Sequence, residues 1–583
     1  MKMDSLSPNQ KFQNWGVIFF VTCCMTILLS AGSVYVTWNW GSDWEPVQKH
    51  YPIWLEVVKG YFLNDHRVWL LYKKYLIENG WMPEFIIHML LPSISSLALS
   101  SWLSLKLLFV PGGRTLDRHI LGSKKIEGRH AYKHANSQLS KECRSGAERG
   151  IHLHPRIQIS QQSEVGNILI TGQPGSGKTV VMCHILQQII ENHQRAFIYD
   201  EKQEYTAKFF EKNKAILIAP WDKRSVVWNI SEDMSHSTAP AKFAEYIIPE
   251  TKDRIWSESA RLIFTGIIVF LKSRNKPWGW LQLYKALNLN DRKLRIVLET
   301  HYPKAVRFVE ENNRTTQSIM ITLQSELGWL EWLAKAWPHS YRGTFSIKNW
   351  VHNNDEEPTL IVQAHKRFSI VGSPLCHTLL SLMVDEYLTR ATFEKCYLVL
   401  DELANLPKSP SLIRWLELSR DRGGRTIAGT QAISQLKEIY GNDTTDSLTS
   451  MFSNLITLKI GSTGETAKFM SRSLGERVIE RPHYHNNQGQ TSVKWEQLTL
   501  PTVYLSELTQ LPNPNKDGVS GFLAINGWSA TYSLVWPYPK IPQVAKREQL
   551  AKWAKDIPSV KKAIGINSVI PKRILSRRQE ESC

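Results

Sequence analysis

Residues 16–36 read GVIFFVTCCMTILLSAGSVYV without a charge, which predicts a helix of the roughly 20 residues that a bilayer crossing needs. A second apolar run covers residues 85–110. It is weaker, with His88 and Lys106 near its ends and Pro92 inside it. Proline is tolerated in membrane helices and a terminal lysine snorkels, so this run reads as a second span, with a buried soluble helix as the alternative. From about 160 to 230, short β-prone runs alternate with helical periodicity, which predicts a parallel sheet with helices on both faces. From about 235 to 350 the pattern turns helical and Trp-rich (Trp256, Trp278, Trp280, Trp329, Trp332, Trp337), with strand signals largely absent. The sheet pattern resumes at residues 359–363 and continues through 401, 430 and 460. Later, residues 521–525 and 528–536 flank Asn526-Gly527, a strong hairpin signal.

Composition adds a folded, multidomain chain of 583 residues, 42% hydrophobic and 21% charged. The net charge of +18 favours a polyanionic partner, nucleic acid or an anionic membrane, without choosing between them. The 22 tryptophans are read first as core and membrane-interface residues, and only second as base-stacking platforms. Seven scattered cysteines with no C-x-x-C spacing exclude a zinc or disulfide framework and predict reduced thiols.

Basic residues cluster after the second run: Arg114, Arg118, Lys124, Lys125, Arg129, Lys133, Lys141 and Arg144. They place the large C-terminal part, and the N-terminus, in the cytoplasm. Trp38, Trp40 and Trp44 then fall at the outer end of the first span as an aromatic belt. Cleavage near Ser30-Ala31-Gly32-Ser33 is the competing fate of that segment. From about Lys540 the chain reads as helices and a basic tail with Lys561, Lys562, Lys572, Arg573, Arg577 and Arg578.

The candidate chemistry starts at NILIT (167–171), a short strand that runs into Gly172-Gln173-Pro174-Gly175-Ser176-Gly177-Lys178-Thr179 and then a helical pattern. This is G-x-x-x-x-G-K-[ST] in its required strand–loop–helix context. Glycines let backbone N–H groups face phosphates, and the helix N-terminus adds a favourable dipole. Lys178 is expected to reach the β/γ-phosphates and Thr179 to ligate Mg²⁺, making ATP and Mg²⁺ the cofactors. A second apolar strand, CYLVL (396–400), ends in Asp401-Glu402. Asp401 is the expected holder of hydrated Mg²⁺ and Glu402 the group that orients and deprotonates the attacking water. A third strand, 425–430, ends at Gln431, placed to sense the γ-phosphate. His152 and His154 form an isolated H-x-H, read as a surface pair and not as a ligand set.

The order of these motifs resembles the type IV coupling protein family, in its TraD-like branch. Besides the glycine loop, the resemblance is carried by Ile198-Tyr199-Asp200-Glu201-Lys202 and by Ile255-Trp256-Ser257-Glu258-Ser259-Ala260-Arg261. It continues in Asp401-Glu402-Leu403, in Ser419 to Arg425, in Gly429 to Leu436 and in Gly464-Glu465-Thr466-Ala467. It covers roughly residues 160–480. Two departures stand out: Gln203 replaces a glycine, and Trp228-Asn229-Ile230 lacks the family's proline.

The resemblance implies an α/β fold: an N-terminal two-helix transmembrane anchor and a RecA-like P-loop nucleotide-binding domain with an inserted all-α domain. The expected boundaries are 1–110 for the anchor, 111–160 for a basic linker, and 161–234 and 351–540 for the two parts of the nucleotide-binding domain. The insertion occupies 235–350 and the basic tail 541–583. It further implies an inner-membrane DNA-translocating ATPase, a homo-hexamer, with relaxosome or relaxase and secretion-channel proteins as partners. Arg420 is the implied arginine finger to a neighbouring subunit, with Arg425 and Arg472 as further candidates. Two alternatives are a receptor for protein substrates of a secretion system and a chromosome translocase. The wording after Asp401 and the helical insertion argue against the second.

Overall fold

The computed structural model describes residues 15–39, 47–63, 65–108, 117–251, 253–274, 276–311, 313–353, 357–462, 464–487 and 490–555. Trp40, Trp44, Arg114 and the six basic tail residues named above lie outside the described residues, as does the side chain of Trp38. The chain divides into two compact units, 1–121 with 478–500, and 122–477 with 501–583. Fifteen strands are seen among the described residues. They are β1 (Arg118–Gly122), β2 (Lys124–Glu127), β3 (Arg149–His154), β4 (Ile157–Ser160), β5 (Ile168–Thr171), β6 (Arg195–Asp200), β7 (Ala215–Ile218) and β8 (Thr359–Gln363). Then come β9 (Cys396–Leu400), β10 (Gly424–Thr430), β11 (Asn454–Thr457), β12 (Glu476–Asn487), β13 (Gln490–Pro501), β14 (Val519–Ala524) and β15 (Ala530–Trp536).

In the first unit, helix Trp15–Asn39 packs along helix Leu91–Leu108. Both expected apolar runs lie in helices long and apolar enough to cross a membrane, Gly16–Thr37 and Met82–Leu107. A ladder of hydroxyl pairs joins them: Thr26–Ser100 at 2.5 Å, Ser30–Ser93 at 3.0 Å and Ser33–Ser96 at 3.1 Å. Polar side chains in an apolar phase must find one another, which orients the two helices about a single seam. Pro92 has no N–H to give the carbonyl of His88 one turn before it, and the helix widens to a π turn at Ile86–Leu90. Thr37 Oγ1 lies 3.2 Å from that carbonyl, which shares the hydroxyl's one proton with Ser33 O at 2.9 Å and Val34 O at 3.2 Å in the threonine's own helix. Between the spans, helices Val47–Phe62 and Arg67–Glu78 close on a small apolar cluster of Val57, Tyr72, Leu76 and Phe85. β1, β12 and β13 form a three-stranded sheet.

The second unit is built on a ten-stranded mixed sheet, in the order β2-β15-β14-β11-β5-β10-β9-β6-β8-β7. Every residue of β5, β6, β8, β9, β10 and β11 is buried. That is why β5 and β9, and the middles of β6 and β8, read as apolar runs without alternation: a parallel strand covered on both faces has no solvent side to mark. The expected hairpin is present, with β14 and β15 antiparallel and Gly527 at φ +80° in its turn. A third helix apolar enough to span a membrane, Lys366–Thr389, is 72% buried and belongs to this core.

Two expectations need correcting. The supposed linker is folded from residue 117 onward. Helix Gly128–Arg144 hides Ala131, Ala135 and Leu139 beneath its basic positions, and β2 pairs with β15 at the edge of the large sheet. The first part of the expected tail is packed on the second unit: Val544 N–H donates to Ala207 O, Ala551 N–H to Trp221 O, and Trp553 Nε1 to Pro220 O.

From Ile230 to His352 the described residues are helices, turns and loops, apart from one bridge between Trp228 and Phe345. Trp278, Trp280, Trp329 and Trp337 are buried, and Trp256 and Trp332 pack against the core, so these indoles serve packing. The entry and exit of the helical stretch are tied at Asp233. Its carboxylate accepts from Trp228 Nε1 at 2.6 Å, Ser346 Oγ at 2.8 Å and the N–H groups of Ile347 and Lys348.

Candidate functional site

Three strand ends meet at one edge of the large sheet. β10 lies between β5 and β9, parallel to both, with Thr430 beside Thr171 and Ala428 beside Leu400. The residues that follow these strands are therefore neighbours: the glycine loop after Thr171, Asp401-Glu402 after Leu400, and Gln431 after Thr430. Gly429 is required for this approach, since a Cβ there would stand 2.3 Å from Asp401 O.

Helix Lys178–Glu191 starts directly from the loop, with Gly177 at φ +97° as its N-cap. A Cβ on Gly177 would meet Val519 at 2.5 Å, and one on Gly172 would meet Ser176 Oγ at 2.4 Å, so the loop admits no side chain at either position. Gln173 N–H donates to Lys459 O and Ser176 N–H to Gln173 O, which pins the turn, while Pro174 and Gly175 are exposed at its tip. Thr179 is half-buried in the first helical turn.

Lys178 is buried. Its Nζ donates to Gly172 O at 2.7 Å and stands 3.8 Å from Glu402 Oε2. Burial lowers its pKa to about 8, against the opposing pull of Glu402. Burial also raises the pKa of Glu402, although Lys178 and two hydrogen bonds from Gln431 favour the carboxylate. One of those bonds runs from Gln431 N–H to Glu402 Oε1 at 3.0 Å. Asp401 is likewise raised by burial; its Oδ1 accepts from Tyr205 Oη at 3.0 Å, and Lys202 opposes the shift. Tyr205 was not singled out by sequence reasoning, and Lys202 only as part of the motif that ends β6. They follow the turn after β6, and only the sheet order brings them to Asp401. Asp200, at the end of β6, is fully buried and caps that turn by accepting from Thr206 N–H and Oγ1, both at 2.7 Å.

The loop and its neighbours suit a phosphate chain with a divalent cation. Ser176 Oγ and Glu402 Oε2 are buried with no hydrogen-bond partner among the described residues, and polar atoms in that condition are sites for a ligand. Hard oxygen ligands are at hand in Thr179 and Asp401.

Arg420 stands apart from this group. It lies exposed in the short turn Arg420–Arg422, with no ion pair among the described residues. Arg425 is buried on β10, donates to the carbonyls of Arg420 and Gly424, and has its pKa lowered by burial, so it braces the Arg420 turn from inside the fold. Arg472 is exposed on helix Thr466–Ser473. The expected surface pair His152 and His154 is corrected as well. His154 is 2% exposed, bonded to Val535 O at 3.0 Å, and burial takes its pKa down to about 4. The β3–β4 ladder is irregular between His152 and His154, so the two do not share the one face that H-x-H spacing in a regular strand implies. No cluster of three or more metal-ligating side chains occurs among the described residues.

Known proteins share this architecture. The coupling protein TraD of Escherichia coli (strain K12) is 23% identical over 330 residues, which are 55% of this chain and 45% of TraD, so the match spans less than half of that relative. The bacterial conjugative coupling protein TrwBdeltaN70, in its unbound monoclinic form, superposes with a TM-score of 0.63 at 20% identity, covering 76% of this chain and 98% of that one. The plasmid coupling protein TrwB in complex with ADP and Mg²⁺ gives 0.63 at 21% identity, covering 76% and 99%. The profile of the type IV secretion-system coupling protein DNA-binding domain matches residues 152–523, well over half of the chain, and the chain belongs to that family.

Proposed function

We propose that this protein is a membrane-anchored ATPase that recruits DNA, as a nucleoprotein, and drives it into a type IV secretion or conjugation channel. The observation that carries the proposal is the convergence of Lys178, Glu402 and Gln431 beside the glycine loop. In this reading the sheet is a RecA-like core, residues 161–234 and 351–540 make up the nucleotide-binding domain, 235–350 the helical insertion and 1–110 the anchor in the inner membrane. TrwB, of like fold, has been seen with ADP and Mg²⁺ and with an ATP analogue, which supports ATP and Mg²⁺ as the ligands here.

The backbone N–H groups of Gly175 and of Gly177 to Thr179 cradle the phosphates and Lys178 pairs with the β/γ-oxygens. Thr179 and Asp401 would hold Mg²⁺, which neutralises phosphate charge when bound. Glu402 takes the proton of the attacking water, and Gln431 keeps the Glu402 carboxylate aimed by its backbone bond. Arg420, exposed and unpaired, is offered to the phosphates of a neighbouring subunit in a hexameric ring.

The test is ATP hydrolysis by the full chain in nanodiscs, with and without single- and double-stranded DNA. A DNA-stimulated rate that salt abolishes supports the motor, because backbone contacts weaken as counterions return. Turnover that DNA leaves unchanged at every salt concentration, in particles shown to be oligomeric, overturns it in favour of a receptor for protein substrates.

A further inference from the structure

Helix Gly128–Arg144 and the β3–β4 hairpin enclose a pocket of about 300 Å³. Its polar lining is Asn136, Ser140, Arg149, His152, Arg156 and Gln158; neither a carboxylate nor any residue of the glycine loop lines it. Arg149 and Arg156 form no ion pair among the described residues. The acids nearby are engaged elsewhere: Glu142 accepts from Trp528 Nε1 at 2.5 Å and Glu148 from Gln161 Nε2 at 2.8 Å. The Arg156 guanidinium stacks over the Tyr132 ring at 5.3 Å, which fixes its plane.

His152 is held from behind by Gln188. Gln188 Oε1 accepts from His152 N–H at 2.8 Å and lies 3.1 Å from Nδ1, and Gln188 Nε2 donates to His152 O at 3.0 Å. With Nδ1–H donating to that amide oxygen the ring is held in place, and in its doubly protonated form Nε2–H is the donor offered to an anion. Gln188 belongs to helix Lys178–Glu191, so His152 is tied to the helix that starts from the glycine loop.

Two guanidiniums, an imidazole and the Asn136 amide, with no carboxylate among them, make a site for an oxyanion, and the planar forks of arginine match phosphate oxygens two at a time. In sequence the pocket follows the second apolar helix after the short strands β1 and β2, and its helix carries the basic residues Arg129, Lys133, Lys141 and Arg144. Anionic headgroups concentrate at the membrane face where such segments emerge. A half-open pocket of about 300 Å³ takes one phosphate, whereas nucleic acid presents a continuous track of them. The geometry points to a binding pocket for the phosphate of an anionic phospholipid headgroup, formed by Arg149, His152 and Arg156. It rests on the membrane anchoring proposed above and not on ATP hydrolysis.

The test uses the full chain in phosphatidylcholine nanodiscs carrying a photoreactive phosphatidylglycerol, without nucleotide, with labelled peptides read by mass spectrometry. Recovery of chain and lipid in one particle checks the anchoring separately. Label is expected within residues 128–160. It should fall about ten-fold in Arg149→Gln/Arg156→Gln, which corresponds to ~1.4 kcal/mol of lost contact. Asn136→Asp, at an exposed lining position, should lower it as well by placing a carboxylate in the pocket. Undiminished labelling in both variants, at native melting temperature, overturns the site. Complete competition by soluble glycerol phosphate keeps the phosphate site but overturns a lipid as its source. Displacement of the label by duplex DNA, with DNA affinity falling in the same variants, overturns the lipid reading in favour of nucleic acid.

Discussion

Glu402 Oε2 lies 3.8 Å from Lys178 Nζ, and both side chains are less than a tenth exposed. The pair sets a charge across the place where the phosphates are proposed to sit, and its two members should fail differently. Glu402→Gln keeps the shape and the Gln431 contact, so binding of an ATP analogue should persist while turnover falls ~10²–10⁴-fold, the usual worth of a general base. Lys178→Ala should lose binding and turnover together. Analogue titration alongside phosphate release separates the two, and equal loss of affinity in both variants would refute the assignment of Glu402.

The depressed pKa of Lys178 gives a signature in pH. Its value of about 8 lies below the ordinary 10.5 because burial penalises the ammonium. Between these two values the unfolded chain holds the proton more tightly than the folded one, so this group makes stability rise with pH across that window. Phosphate binding runs the other way, since it needs the cation: analogue affinity should fall as pH rises through about 8. Lys178→Arg, which stays charged, should flatten that fall. An unchanged slope in the arginine variant would mean that another group titrates.

Most of the sheet was legible because strands such as β5 and β9 are buried on both faces and read as apolar runs, whereas β10, with Arg425, Thr426 and Thr430, was legible from its order after the acidic pair. The glycine loop was legible for a different reason: a left-handed Gly177 and a crowded Gly172 are backbone demands that only glycine meets. What stayed hidden depended on partners distant in sequence. β2 is a short basic segment that becomes a sheet strand only because β15 lies beside it. Helix Lys366–Thr389 has the hydropathy of a span yet is a core helix, and composition does not distinguish lipid from protein as its surroundings. Tyr205 carries no motif, and its bond to Asp401 exists because β6 and β9 are neighbours.

Trp228 and Asp233 show what the segment lacking the family's proline does here. Asp233 is wholly buried and holds four donors from the two ends of the helical insertion. Asp233→Ala should cost ~1–3 kcal/mol for the donors it orphans, and should open the junctions near 229 and 346 to protease first. Burial lifts the Asp233 pKa from 3.8 to about 6, so its contribution is complete below 3.8 and is lost as pH rises through 6. Asp233→Asn should remove that slope from melting curves taken across this range.

The proposed membrane hairpin makes a prediction through Thr37 and Pro92. If Thr37 Oγ1 serves the carbonyl that Pro92 leaves free, Thr37→Val should destabilise the detergent-solubilised chain by about 0.6 kcal/mol, an average interhelical bond. In a Pro92→Ala background the helix serves its own carbonyl and the same change should cost little. Equal losses in both backgrounds would show that the two residues are uncoupled.

Arg420 offers the sharpest test of a ring. Its own subunit gives it no anion among the described residues, and Arg425 props its turn from below without reaching solvent. A cation so placed stabilises a transition state only if a second copy brings phosphates to it. Arg420→Ala should therefore leave analogue affinity intact and reduce turnover ~10³–10⁵-fold, the range known for arginine fingers. Arg420→Ala has an intact glycine loop and lacks the finger, whereas Lys178→Ala has the finger and lacks the loop lysine. Mixed rings should recover activity at interfaces that pair an intact loop with an intact finger, rising and falling with the mixing ratio. If mixtures stay as inactive as their parents while forming rings of native size, Arg420 acts within its own chain or not at all, and the exposed Arg472 becomes the residue to substitute next.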